Sequence, residues 1–209
     1  MLKIERISVM NLENAMRGAR NPMNSWGKSD SYYNDKGEYI LGENDLGLAV
    51  RLCKSGTDHR KFMRQIFVSM DITAPIYWWK EFDTYKVGTT ANSTSTMHKI
   101  HSKSFAMEDF STDQLTEDTR AFFETMLTHL EKLRLLFLET GDKEYWYSII
   151  QLLPSGYNQM RTCTFNYENL INMYNARKNH KLKEWHDFCD YVKELPYSEE
   201  LLTWEKRVQ

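Results

Sequence analysis

The sequence is poor in residues that interrupt or cross-link a chain: its 209 residues hold only 4 Pro, 9 Gly and 3 Cys. So little Pro and Gly excludes a collagen-like or linker-rich chain and argues against disorder. Cys53, Cys163 and Cys189 are odd in number, far apart and without CxxC spacing, so no disulfide framework is expected. They read as buried reduced thiols, and no activating partner stands beside Cys53 or Cys163 for a nucleophilic role. An excess of one charge is also missing. The formal net charge of -2 gives no electrostatic footing for general nucleic-acid binding, while leaving room for a local basic pocket for a small anion. No run of about 18 apolar residues exists, so no membrane span is expected. The opening Met1-Leu2-Lys3-Ile4-Glu5-Arg6 has no apolar signal core. These absences predict a soluble, cytoplasmic protein. A Walker loop, GxGxxG and GxSxG are absent as well, which removes support for those mechanisms.

What is present is globular. Hydrophobic residues make up 41% and charged residues 27%, and the length suits a single domain, 1–209, that buries a real core. Lys3–Val9 alternates apolar and polar residues and predicts a strand; Asn11–Arg20 predicts a short helix. Asn21–Gly42, rich in Asn, Ser, Gly, Asp and Tyr, reads as an irregular loop. Asp45–Lys54 is expected to be helical, with Asn44 as N-cap and Gly56 just past the end. Gln65–Thr73 is the clearest strand, with Ile66, Val68, Met70 and Ile72 sharing one face. Pro75 is expected at the first position of an aromatic-heavy helix that runs to Asp83. Tyr85–Lys99 is hydroxyl-rich and without periodicity, a loop that lies in solvent or lines a site. Thr116–Leu138 is the longest helix, ended by Gly141, and Asp142–Leu153 is a second, stopped by Pro154. Gln159–Phe165 reads as extended, Asn166–Asn179 as helical, and Lys183–Glu194 as the last substantial helix. Strands among long helices, without regular βαβ alternation, predict an α+β fold.

Several residues are candidates for chemistry. Helical spacing places Arg177 on one face with Leu170 and Met173. A buried guanidinium needs an anionic partner, so Arg177 reads as a ligand-binding residue, half of an internal salt bridge, or an arginine that snorkels to solvent. His59, in Thr57-Asp58-His59-Arg60, reads from its surroundings as a solvated loop histidine. Trp78 and Trp79 read as core or interface aromatics rather than a stacking platform. His98 and His101 have HxxH spacing but no accompanying Cys or carboxylate set, so no metal is expected.

Together these segments resemble the flavin-dependent thymidylate synthases, from about Arg17 to Cys189. The strongest stretch is Gln65–Ser95: a strand into Ala74-Pro75-Ile76-Tyr77, a helix, then Asn92-x-x-Ser95. The second is Leu153-Pro154, then Asn166-x-Glu168-x-x-x-Asn172-x-x-x-x-Arg177, then His180 to Glu184. The resemblance implies a mixed central sheet flanked by long helices, assembled as a homotetramer with FAD at subunit interfaces. It implies reductive methylation of dUMP, or a related pyrimidine nucleotide, with methylenetetrahydrofolate, reduced FAD and NADPH, and without a nucleophilic cysteine. By the same resemblance Arg177 and Ser95 are catalytic and contact the substrate pyrimidine, Glu81 is substrate-binding, and His59, Lys86, Asn92, Asn166 and Asn172 hold the flavin.

The chain departs from that pattern where the family carries positive charge. The family's Arg-His-Arg corresponds to Thr84-Tyr85-Lys86, with one extra residue before Asn92. Ser93 replaces an acid, Met97 an arginine, Glu168 an arginine and Glu81 a glutamine, and the arginine before the Leu-Pro turn falls at about Ile150. Each hydrogen bond to a charged group contributes roughly 1.5–3 kcal/mol. Losing three would weaken phosphate binding by several orders of magnitude, and Glu168 and Glu81 would repel phosphate as well. Lys86 retains one cation, and Arg17, Arg20, Arg51 and Lys80 are the available substitutes. The same departures support an alternative: a divergent, non-catalytic family member acting as a binding or interaction protein. A flavin enzyme with a different or uncharged substrate lies between the two.

Overall fold

The structure, a computed structural model, describes residues 1–204. The opening alternation forms β1 (Lys3–Met10), and α1 (Leu12–Ala19) follows. Asn11 joins them in the left-handed conformation, φ 70, which its short polar side chain tolerates. Its Nδ2 donates to the Gln65 carbonyl at 2.9 Å. The segment expected to be irregular instead holds two 3₁₀ turns and a small antiparallel ladder of β2 (Tyr32–Tyr33) and β3 (Tyr39–Ile40), with Tyr32 opposite Ile40. A buried carboxylate orders it. Asp45 accepts from Arg20 Nε at 2.5 Å, Ser29 Oγ at 2.6 Å and Ser31 Oγ at 2.5 Å. Burial alone pushes the Asp45 carboxyl up, but the two serines and Arg20 outweigh it and hold it below the usual carboxylate range.

Helix α2 (Glu43–Lys54) starts before the expected Asp45, and Asn44 is not its cap. The cap comes from outside the helix: the Asp30 carboxylate accepts from Asn44 N at 2.8 Å and Asp45 N at 3.0 Å. A Cβ on Gly42 would lie 2.3 Å from Asp30 Cγ, so this entry admits only glycine. Strand β4 (Phe67–Pro75) buries Val68, Met70, Ile72 and Ala74 on the expected face. Pro75 closes the strand at φ -67, ψ 150 instead of opening the helix; its extended ψ leaves the first helical position to Ile76. In α3 (Ile76–Phe82) Trp78 and Trp79 are fully buried and edge-packed at 4.9 Å, which makes them core residues.

The hydroxyl-rich stretch contains β5 (Thr90–Ser93), a strand with all four residues exposed and hence no apolar alternation to betray it. Helix α4 (Glu117–Thr140) is capped by Thr116 and closed by Gly141 at φ 70; α5 (Lys143–Leu152) is capped by Asp142. Strand β6 (Asn158–Asn166) leads into α6 (Tyr167–Arg177), then α7 (Lys183–Lys193) and a short α8 (Ser198–Leu201), which was not anticipated. The main sheet has four strands in the order β1-β4-β6-β5. The fold is therefore α+β, a sheet with long helices.

The chain forms two compact units. One comprises Met1–Ile4, Asp71–Thr84 and Ala91–Thr162. Its α4–α5 pair buries Ile100, Leu133 and Ile149 in one cluster and Phe110, Leu127 and Leu130 in another. The other comprises Glu5–Met70, Tyr85–Thr90 and Cys163–Gln209. There α1, α2 and α6 pack on the 3₁₀ segment Arg60–Gln65, which buries Phe62 and Met63. Among the described residues no helix is long and apolar enough to cross a membrane.

Candidate functional site

Five candidate residues, His59, Lys86, Asn166, Asn172 and Arg177, lie in the second unit, and three, Glu81, Asn92 and Ser95, in the first. In the second unit the organising element is α6. Asn166 caps it: its side chain accepts from Asn169 N at 3.0 Å, while Asn169 Oδ1 accepts from Asn166 N at 3.2 Å. The spare amide of Asn169 donates to the Val87 carbonyl at 2.7 Å and ties Tyr85–Thr90 to the start of the helix. Gly88 sits at φ +74, and a Cβ there would come within 3.0 Å of Asn166 Nδ2 and Asn169 Oδ1. The backbone can pass this close to the helix N-terminus only as glycine.

At the other end of α6, half-buried Arg177 meets the same segment. Its Nε donates to the Tyr85 hydroxyl at 2.9 Å. Its guanidinium carbon lies 4.7 Å from the Trp185 ring centroid and 5.5 Å from that of Tyr85. Such stacking contributes about 0.5–2 kcal/mol and holds the guanidinium plane in one orientation. Lys86 is exposed between Tyr85 and Val87, both of which are bonded to α6, so Lys86, Asn166 and Arg177 belong to one helix-and-segment assembly.

Glu168 is not the repulsive charge that its position implied. Arg60 Nε and Nη2 both donate to its carboxylate at 2.9 Å, and both residues are buried. Removing either partner from such a pair costs about 3–5 kcal/mol, because the other is left as an uncompensated buried charge. Glu168 is thus buried, whereas Asn172 and Asn175 are exposed on α6. Arg20 drops out as a substitute phosphate ligand, since it is buried against Asp45; Arg17, Arg51 and Lys80 are exposed. His59 is exposed immediately before Arg60.

In the first unit Ser95 is exposed, and its Oγ accepts from Met97 N at 3.2 Å and His98 N at 2.8 Å. Gln159 Nε2 donates to the Thr94 carbonyl at 2.6 Å, and Trp146 Nε1 to that of Met97 at 3.0 Å, so both sides of Ser95 are anchored. Asn92 is exposed in β5 and Glu81 half-buried in α3. Arg161 pairs with Asp83 at 2.7 Å and lies 4.2 Å over Trp79. Among the described residues no group of three or more His, Cys, Asp or Glu is placed to hold a metal ion.

No protein-family model matches the chain, and no curated protein sequence is similar to it. Its fold has solved counterparts. Thymidylate synthase X from Helicobacter pylori, crystallised with FAD and dUMP, superposes with a TM-score of 0.70 at 17% identity, over 97% of this chain and 98% of that one. A second structure, flavin-dependent thymidylate synthase ThyX from the same organism with FAD and dUMP, gives 0.67 at 18% identity over 95% and 98%. The chain shares their fold.

Tyr85, Gly88, Asn169, Trp185 and Arg60 were not singled out from the sequence. The Asn166-x-x-Asn169 spacing at a helix start is a readable capping signal. For Arg60 and Glu168, 108 positions apart, no local pattern exists. The second unit thus places Gly88 against the capped N-terminus of α6, an exposed Lys86 beside it, and a stacked guanidinium at the other end of the helix.

Proposed function

We propose that the protein binds FAD and a pyrimidine nucleotide and methylates dUMP or a close relative, with methylenetetrahydrofolate as carbon donor and NADPH as reductant. One observation carries this reading: on a chain with the fold of a thymidylate synthase crystallised with FAD and dUMP, Arg177 is held in one orientation by Tyr85 and Trp185. FAD, when bound, supplies the hydride that completes the methyl group. The residues that the resemblance assigns to the flavin are His59, Lys86, Asn166 and Asn172 in the second unit and Asn92 in the first; Lys86 would contribute charge and the asparagines amide hydrogen bonds. Arg177 lies against the pyrimidine carbonyl and stabilises negative charge that develops there as the ring carbon attacks. Ser95 already accepts two backbone N–H groups, which leaves its own O–H to donate to the ring. Glu81 contributes a carboxylate acceptor for a ring N–H. In this reading the chain acts as a single domain within a cytoplasmic homotetramer.

Purified protein is expected to show a flavin absorption spectrum, either as isolated or after added FAD. NADPH oxidation is expected to require both dUMP and methylenetetrahydrofolate and to yield dTMP. Colourless protein that ignores added FAD overturns the reading. A second reading, a non-catalytic binding protein, is favoured by the Arg60–Glu168 pair, which closes on itself a charge that the resemblance assigns to phosphate. Growth of a thymidylate-synthase-deficient strain on this gene would eliminate it.

A further inference from the structure

A cavity of about 1100 Å³ in the second unit shares no lining residue with the site above. Its apolar lining comes from Ile7, Val9, Leu12, Ile40, Leu195 and Pro196. Tyr33, Tyr39, Tyr191 and Tyr197 add four phenol rings, and Glu13, Glu38 and Glu194 add three carboxylates. No Lys, Arg or His is among its lining residues. The hydrogen bonds to these acids come from neutral donors, which leave their charge in place: Tyr33 Oη donates to Glu13 at 2.6 Å and Asn34 Nδ2 to Glu38 at 2.8 Å. Glu194 follows the last residue of α7, where the helix dipole is already negative and a carboxylate is unfavourable unless a cation joins it.

Two of the nearby cations are paired with carboxylates outside the lining: Arg20 holds Asp45, and Lys193 pairs with Asp190 at 2.8 Å. Arg17 lies outside the lining, in an adjoining recess with Glu13, where it donates to the neutral Asn14 Oδ1 at 3.0 Å. The walls are tied in place. Tyr197 Oη accepts from Leu41 N at 2.8 Å, Tyr167 Oη donates to the Pro196 carbonyl at 2.8 Å, and Tyr33 and Tyr39 pack edge-to-face at 5.2 Å. The Glu13 hydrogen bond raises the Tyr33 pKa and burial raises that of Tyr39, so both present neutral rings to a ligand. Neutral phenol faces, carboxylates and hydrocarbon together suit one chemistry, an ammonium group on a methylene chain.

We propose that this cavity binds an aliphatic amine cation, its ammonium groups among the tyrosines and Glu13 and Glu194 and its methylenes on Ile7, Val9 and Leu195. The inference does not depend on flavin or nucleotide binding.

The test is titration calorimetry of the full-length protein with spermidine and, separately, with a trilysine peptide, each at physiological salt with excess magnesium chloride to suppress unspecific counterion binding. Saturable binding of spermidine alone assigns the site to a free polyamine; saturable binding of the peptide alone assigns it to a lysine-rich partner segment; either supports the proposal. Glu194→Gln and Tyr39→Leu are each expected to weaken binding about tenfold. Glu199→Gln, an exposed acid outside the lining, should leave it unchanged. Glu194 is exposed, so its variant keeps the test valid if Tyr39→Leu does not fold. Absence of binding to both ligands, or affinity equal in wild type and Glu194→Gln, overturns the proposal.

Discussion

Arg177 owes its orientation to two aromatic residues that the sequence keeps far from it or offers no reason to connect: Tyr85, 92 positions away, and Trp185 beyond the end of its helix. Helical spacing predicted its apolar neighbours, and Leu170 and Met173 are indeed buried; the identity of its partners needed the folded chain. Tyr85→Phe keeps the ring and removes the hydroxyl that accepts from Nε. If Arg177 contacts the nucleotide, calorimetry should show dUMP affinity falling about tenfold, the low end for a hydrogen bond to a charged group. The melting temperature should move by only a few degrees. Unchanged affinity in a variant whose wild type binds dUMP would mean that the Tyr85 hydroxyl does not position the guanidinium.

Helices were more legible than strands because their ends carry chemical marks within a few residues. Thr116, Gly141 and Asp142 mark the boundaries of α4 and α5 as expected. The β2–β3 ladder and β5 carry no such marks. The first is shaped by Asp45, which draws in Arg20, Ser29 and Ser31 from outside its helix. The second is all exposed, and the residue after it donates from Thr94 N to the Met160 carbonyl at 2.9 Å. Asp45 makes the order of residues 21–42 sensitive to acid. Its folded pKa lies below the ordinary value of 3.8, so its contribution is fully present above that value and is lost as pH falls through the lower folded one. The indole N–H of Trp26, which donates to Asn21 Oδ1 at 2.9 Å, reports on that segment by NMR. Its resonance should keep its shift at pH of about 5 and move toward the random-coil position only as pH falls below 3.8 and through the lower folded value. Asp45→Asn should show the collapsed position at neutral pH; a shift that ignores both acid and the substitution would remove Asp45 from this role.

Across the molecule, the α+β class followed from composition and periodicity, and the thiols are buried as composition suggested. Burial pushes Cys53 up to about 12 and Cys189 up to about 11. Thiolate is therefore scarce at pH 8, and iodoacetamide should add nothing to the native protein by intact-mass analysis but label all three cysteines in urea. Labelling of one cysteine in native buffer would reveal local opening. By itself the sequence determined what short-range rules govern: the existence of the long helices, the buried face of β4, the ends of α4 and α5, and the helical face carrying Arg177. Only the tertiary structure decided that Glu168 is neutralised by Arg60, that Arg20 serves Asp45, that Asn169 fixes Val87, and that tyrosines and glutamates from distant segments line one cavity. Hydrogen bonds and ion pairs act over a few ångströms in space whatever the separation along the chain, so partners tens of positions apart leave no periodic trace in either segment.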